Sequence, residues 1–343
     1  LHGSVKKDGD DENADARARL KTAGCVIHDR FLAPDGLAHN KFVVIGEREG
    51  DQFHAAKVWT GSFNWTPTGL CTQLNNGILI ENVELARRFE AQFELLKGAG
   101  NGFTDALLES NNNPKRGIAL GAAEVDSWFS KLGREIDIKE LIELVKGARQ
   151  GVFFVMFQPG NEPVRTLLRM QSEKDLYVRG VATQLTSNGL EDFKLLKKVP
   201  EQFFLDTVQA TGVDMSVGRW AVEGTANEFR NSIGHAITHS KVLVIDPFSD
   251  DPVVVTGSHN FSKSASRDND ENFIVIRGQK EIAMHYAINA VQTYNHYRWR
   301  AYLEEAERED RDPFQYLSRD PQWQRRRTTG ETKRMLAFWR PEA

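Results

Sequence analysis

The sequence predicts an α/β fold built from two related lobes, each a mixed sheet flanked by helices. Three observations predict it. Apolar runs of strand length alternate with helical stripes along most of the chain. The second half follows a βαβ-like order. One short pattern of polar residues occurs twice, each time beside an apolar strand. The chain has 343 residues, enough for two domains or one large one. It is 40% hydrophobic and 27% charged, which excludes disorder throughout. With 44 basic against 48 acidic side chains it carries no bulk basic field for nucleic acid. Cys25 and Cys71 are the only cysteines. They exclude a disulfide framework and a cysteine-rich zinc site, and leave a single bridge between them open. The longest strongly apolar run, 152–157, is far short of the roughly 20 residues of a membrane helix. No compartment follows from the sequence.

Taken in order, residues 1–14 read as a polar loop and 15–23 as a short helix stopped by Gly24. Strands are expected at 25–27 and 41–45, a charged loop at 47–55, and further strands at 58–60 and 77–80. Over 82–97, Ala86, Phe89, Phe93 and Leu96 recur at spacings of three and four, which predicts a helix. The Gly- and Asn-rich stretch 98–118 reads as a linker. The boundaries are therefore 1–100 for the first lobe, 101–117 for the linker, 118–300 for the second lobe and 301–343 for a helical, basic extension. In the second lobe Ile138, Leu141, Ile142 and Val145 form a helical stripe. The run 151–157 is a strand covered on both faces. A helix at 163–170 and a strand at 176–183 follow, then an irregular excursion at 185–236. Strands are expected at 241–245, 253–256 and 273–276, then a helix through Ala283, Tyr286, Ala287, Ala290, Val291 and Tyr294.

The repeated pattern carries the chemistry. His39-Asn40-Lys41 leads into the strand Phe42-Val43-Val44-Ile45, and Gly61-Ser62-Phe63-Asn64 follows. His239-Ser240-Lys241 leads into Val242-Leu243-Val244-Ile245-Asp246, and Gly257-Ser258-His259-Asn260 follows. In a strand, residues two apart point to the same face, so H-x-K projects an imidazole and an ammonium together. Gly-Ser-x-Asn adds a hydroxyl, an amide and a close backbone approach. Two such sets across one cleft surround a small anion. Lysines and asparagines there can hold phosphoryl oxygens as charge builds, one imidazole can attack phosphorus, and the other can protonate the leaving oxygen.

H-x-K-x4-D followed by G-S-x-N, present twice, resembles the phospholipase D superfamily in its two-copy form. The resemblance covers roughly 15–100 and 118–300. It implies a phosphodiester hydrolase or transferase that works through a phosphohistidine, without metal or cofactor. The implied catalytic residues are His39, Lys41, Asn64, His239, Lys241, Asn260 and Glu271. Ser62, Ser258, Asn75 and Asp246 are implied as phosphate-binding or supporting residues. The copies differ. Gly46 stands where the first motif would have Asp, and Asn75 aligns with Glu271. On the reading that Glu271 serves its own copy's histidine, His239 is expected to be the nucleophile and His39 the general acid. The expected substrate is a phospholipid, with nucleic acid as the alternative and a non-catalytic binding protein as a third reading. The segment Gly-Ser-Phe-Asn-Trp-Thr and the run Arg325-Arg326-Arg327 speak for the nuclease alternative. Trp65 and Phe261 are expected in the core. His28, His54, His235, His259, His285 and His296 are expected at the surface or at caps. Only 38 residues precede His39. Internal symmetry therefore calls for a further N-terminal segment to complete the first lobe.

Overall fold

The computed structural model describes residues 13–32, 36–71, 73–174, 176–183, 206–209, 238–310 and 320–340. Most of the excursion at 185–236, with His235, lies outside them. A first helix, α1 (Ala14–Thr22), leads into an extended segment. Residues 25–27 are in no strand, and Val26 is exposed. Three antiparallel strands then form the first sheet in the order β1-β2-β3: β1 (Phe42–Glu49), β2 (Gln52–Gly61) and β3 (Gly77–Glu81). The expected loop at 47–55 is instead a tight hairpin, with Gly50 at φ +60° in its turn. Its charged residues lie in strand because solvent reaches both faces there. The helices α2 (Pro67–Cys71), α3 (Val83–Ala99) and α4 (Asp105–Asn112) complete this half. Asn82 caps α3 by accepting from the Leu85 N–H at 2.9 Å.

The expected linker is largely structured. Within it, α4 packs through buried Leu107, and buried Gln92 of α3 donates to Asn111 at 3.0 Å. The chain then enters the second sheet directly at β4 (Lys115–Leu120) and β5 (Ala123–Phe129). Next come α5 (Ile136–Gly147), β6 (Gly151–Met156), α6 (Asn161–Lys174), β7 (Tyr177–Ala182) and β8 (Asp206–Gln209). The half closes with β9 (Val242–Ile245), β10 (Val253–Gly257), α7 (Lys263–Arg267), β11 (Asn272–Arg277) and the long α8 (Lys280–Arg308). Two short helices, α9 (Gln322–Thr328) and α10 (Gly330–Trp339), end the described chain. The second sheet is mixed, in the order β4-β5-β11-β10-β9-β6-β7-β8, with β6-β7-β8 parallel.

The layers explain the patterning. One face of the second sheet buries Leu243, Ile245, Val255, Phe273 and Val275 against α5 and α6. Its other face shares a core with α3, α8 and the inner face of the first sheet, through Leu85, Phe89, Val58, Ile80, Ala283 and Ala287. The C-terminal extension joins this core. Phe338 and Trp339 pack on Phe153, with ring centroids 5.4 and 5.8 Å away. Among the described residues the outer face of the first sheet has no such cover. Val43, Ile45 and Leu79 are 38%, 44% and 50% exposed, whereas Leu243, Ile245 and Val275, at the repeat-equivalent positions, are at most 3% exposed. Both edges of the first sheet are also unpaired among the described strands. Cys25 and Cys71 are free and exposed. Among the described residues no helix is long and apolar enough to cross a membrane.

Candidate active site

The two H-x-K segments meet where the lobes join, and each is registered by the other lobe. Ala38 bridges Asp270 in parallel, and the His39 N–H donates to the Asp270 carbonyl at 2.9 Å. Likewise Leu74 bridges Thr238, and the His239 N–H donates to the Leu74 carbonyl at 2.8 Å. This near-twofold arrangement crosses the partners. His39 Nδ1 lies 2.6 Å from Glu271 Oε2. His239 Nδ1 lies 2.9 Å from Asn75 Oδ1 and 3.1 Å from the Ser62 carbonyl. The expectation that Glu271 serves His239 is therefore corrected. The carboxylate belongs to His39, because the residue that follows each bridge faces the histidine of the opposite copy.

The serines hold these partners. Ser258 Oγ donates to Glu271 Oε2 at 2.7 Å, and Ser62 Oγ donates to Asn75 Oδ1 at 2.7 Å. Each serine oxygen also accepts a backbone N–H, from Asn272 at 2.9 Å and from Asn76 at 3.0 Å. Both serines thus support the histidine partners. The preceding glycines are required by close approach. A Cβ at Gly61 or Gly257 would stand 2.2 or 2.3 Å from the carbonyl oxygen of Asn76 or Asn272. Asn269 Nδ2 donates to Glu271 Oε1 at 3.1 Å, so both carboxylate oxygens are engaged.

Lys41 and Lys241 are buried, and each donates from Nζ to the carbonyl of its own motif histidine, at 2.9 and 2.7 Å. Burial pushes the Lys41 ammonium down to about 8, against a smaller upward pull from Glu271. Burial and the nearby Lys41 push Lys241 well down. Burial also lowers His39, although Glu271 pulls the other way. His239 falls to about 2, through burial and then through Lys241, Lys41 and His39. Burial alone would raise Glu271, but His39, Lys41 and His259 hold it below the ordinary carboxylate range. The site thus crowds cation-forming groups around one carboxylate.

Asn64 and Asn260 occupy the turns after β2 and β10, and Asn260 Oδ1 is buried with no hydrogen-bond partner among the described residues. Asp246 takes a supporting place and lies away from the histidines. It stands at the far end of β9 and accepts the backbone N–H groups of Arg149, Gln150 and Gly151 at 2.8, 2.7 and 2.9 Å. It ties β9 to the start of β6 and supports the site only through the sheet. In the first copy β1 bulges at Gly46 and runs on into its hairpin, and a Cβ there would meet the His54 carbonyl at 2.2 Å. Among the described residues no strand start lies there for a carboxylate to cap.

Several neighbours escaped sequence reasoning. The Phe157 ring lies 4.6 Å from the His239 ring and 4.8 Å from Lys241 Nζ. Asn272 Nδ2 donates to Thr60 Oγ1 at 2.6 Å, and Asn76 Nδ2 donates to Thr256 Oγ1, so this pair of bonds also crosses between the lobes. The identity of Thr60 with Thr256 and of Asn76 with Asn272 was the available signal. Arg30 forms a buried ion pair with Asp270, with Nε at 2.5 Å and Nη2 at 3.1 Å. Phe261 is buried as expected, while Trp65 is exposed and packs on Trp59 at 5.3 Å. His259, expected at the surface, is buried.

The chain is similar to several known proteins. Among solved structures, phosphatidylserine synthase from Haemophilus influenzae is 15% identical over 76% of this chain and 63% of its own, with a TM-score of 0.45. The phospholipase D family member Nuc from Salmonella typhimurium is 14% identical over 51% of this chain and 93% of its own, with a TM-score of 0.34. NucT from Helicobacter pylori is 18% identical over 50% and 95%, with a TM-score of 0.34. No curated protein matches by sequence. The model of the phospholipase D-like domain of cardiolipin synthase matches residues 5–97 and 141–291, which span both histidine motifs. With more than half its length so matched, the chain belongs to the phospholipase D-like family.

Proposed function

We propose that this chain cleaves or transfers phosphodiesters through a phosphohistidine on His39, with His239 as general acid. The observation that carries the reading is the crossed pairing. His39 has an ionised, doubly held carboxylate on Nδ1, which leaves Nε2 free to attack. As the N–P bond forms and the ring gains positive charge, Glu271 stabilises it. The P–O bond to the leaving group breaks, and that oxygen takes a proton from His239. His239 has only neutral oxygens on Nδ1, so it releases that proton readily. Its depressed pKa means that the phosphodiester anion must offset Lys41 and Lys241 before His239 protonates. In the second half, neutral His239 takes a proton from water or an alcohol, whose oxygen displaces His39 from phosphorus. Lys41, Lys241, Asn64 and Asn260 hold the phosphoryl oxygens.

A phospholipid is the favoured substrate. Leu37 and Leu74 are exposed, and their carbonyls accept from Asp270 and His239, so apolar side chains flank both histidine bridges. Exposed Trp65, next to Asn64, is the observation that favours the nuclease alternative, since an indole can stack on a base. Incubation with phosphatidyl lipid vesicles, single-stranded DNA and duplex DNA, in EDTA, separates the two. Release of a lipid headgroup alone supports the first reading, and DNA cleavage alone reverses the substrate class. Turnover of none of these favours a binding protein. The outer face of the first sheet, uncovered among the described residues, supports the further proposal that an additional α/β segment packs there, as α5 and α6 pack on the second sheet.

A further inference from the structure

A second buried carboxylate–imidazole pair stands behind the site. His259 is the variable residue of the second G-S-x-N, and Asp137 lies in the first turn of α5. His259 Nε2 is 2.9 Å from Asp137 Oδ2, an ion-pair distance at which the two atoms do not meet hydrogen-bond geometry and have no other hydrogen-bond partner among the described residues; both side chains are almost wholly buried. The Phe261 N–H donates to His259 Nδ1 at 2.9 Å, so Nδ1 is the acceptor and the ring proton sits on Nε2, facing Asp137. Asp137 Oδ1 accepts from the Ile138 N–H at 2.8 Å and from Ser266 Oγ at 2.6 Å. Burial alone would raise Asp137, but His259, Ser266 and Ile138 together hold it low.

These contacts close a ring around the turn that bears Asn260. Phe261 sits at φ +54°, a left-handed conformation that is strained for a non-glycine residue. The turn is held by the His259 ring, by the Gly160 N–H donating to the Phe261 carbonyl at 3.0 Å, and by α7, whose Ser266 returns to Asp137. Within this ring stands Asn260, with its buried, unpartnered Oδ1. The first copy has Phe63 in place of His259 and so has no such pair.

We propose that Asp137 and His259 are a positioning pair that fixes Asn260 for phosphoryl contact, a role that rests on the phosphodiester reading above. The test compares H259F, which installs the residue of the first copy, with H259Q, whose amide keeps a polar N–H group towards Asp137, and with D137N. Each is assayed for kcat and KM on the substrate turned over, for binding of inorganic phosphate, and for thermal midpoint. A misplaced phosphoryl-binding group should lower kcat by roughly tenfold to a hundredfold in H259F and D137N, with KM altered far less. H259Q should recover part of the loss. H259F turning over at the wild-type rate, or losing rate only in proportion to unfolded protein, overturns the proposal. If H259F does not fold, D137N and the ring 15N shifts of wild-type His259 decide, and a proton on Nδ1 rather than Nε2 overturns it. If the wild type turns over no phosphodiester, the functional reading fails separately. Phosphate titration then tests the pair: weaker binding in the variants supports it, and unchanged binding overturns it.

Discussion

Replacing Lys41 with Met should weaken catalysis while sparing or improving stability. Folding lowers the Lys41 pKa from 10.5 to about 8, chiefly by burial. At about 1.4 kcal/mol per unit, holding the ammonium in the fold at neutral pH costs on the order of 3 kcal/mol. Met has similar reach and no charge, so K41M removes that cost. It also removes the Nζ donor from the His39 carbonyl, a loss of about 1–3 kcal/mol. The net change at pH 7 should lie between zero and about 2 kcal/mol of stabilisation. In the same variant kcat should fall by about 100-fold or more, because a cation aimed at developing phosphoryl charge is gone.

The pH dependence gives the sharper check. Between pH 8 and 10.5 unfolded Lys41 holds a proton that the folded chain has released. The unfolded state binds more protons there, so the Lys41 contribution makes stability rise with pH across that window. Meanwhile kcat/KM, which reports the free enzyme, should fall as pH rises through about 8 and Lys41 loses its charge. Activity and stability therefore move in opposite directions. Urea unfolding at several pH values, on wild type and K41M, reads the first limb, and initial rates read the second. A K41M chain that is destabilised by more than about 2 kcal/mol, with the slope above pH 8 unchanged from wild type, would refute the reasoning.

Acid quench of a labelled substrate at short times, followed by peptide mass spectrometry, should place the phosphohistidine on His39; label on His239 would reverse the assignment. E271Q should lower kcat by about 100-fold, because the imidazolium formed on attack loses its counter-charge, and near-normal turnover would remove Glu271 from the mechanism. Activity should survive EDTA, since paired lysines supply the charge; loss restored by one divalent ion would contradict this. D246A should cost about 2–4 kcal/mol through three orphaned backbone amides, measured as a lower urea midpoint, with kcat per folded molecule unchanged.

Much of the site was legible because the repeat fixes residue types at strand ends. His39, Lys41, His239, Lys241, Asn75 and Glu271 all converge where the lobes meet. Which carboxyl or amide serves which histidine was not legible. Local alignment places Glu271 with His239, and only the parallel bridges at Ala38 and Leu74 exchange the partners. The strands β4 and β5 were hidden by their polar residues. Lys115 and Arg116 open one, and buried Asp126 interrupts the other, tolerated because Arg277 lies 2.5 Å away and the Gly117 N–H donates to it at 2.9 Å. The role of His259 was equally hidden, since Asp137 lies more than a hundred residues earlier in the chain.

The crossed pairing also changes what the lobes must do. If each histidine drew its partner from its own lobe, one lobe could tune its imidazole alone. Here the His39–Glu271 and His239–Asn75 pairs both span the junction, and so do the Asn272–Thr60 and Asn76–Thr256 bonds. Lobe docking therefore sets the basicity of both rings as well as their separation. The lobes contribute unequally to that junction. The second supplies the carboxylate and the buried Asp137–His259 pair, and the first supplies an amide and a sheet whose outer face is exposed among the described residues. A near-symmetric frame thus holds a polar pair whose two members can do different chemistry. That difference is what a two-step reaction needs when one imidazole must stay on phosphorus while the other passes protons.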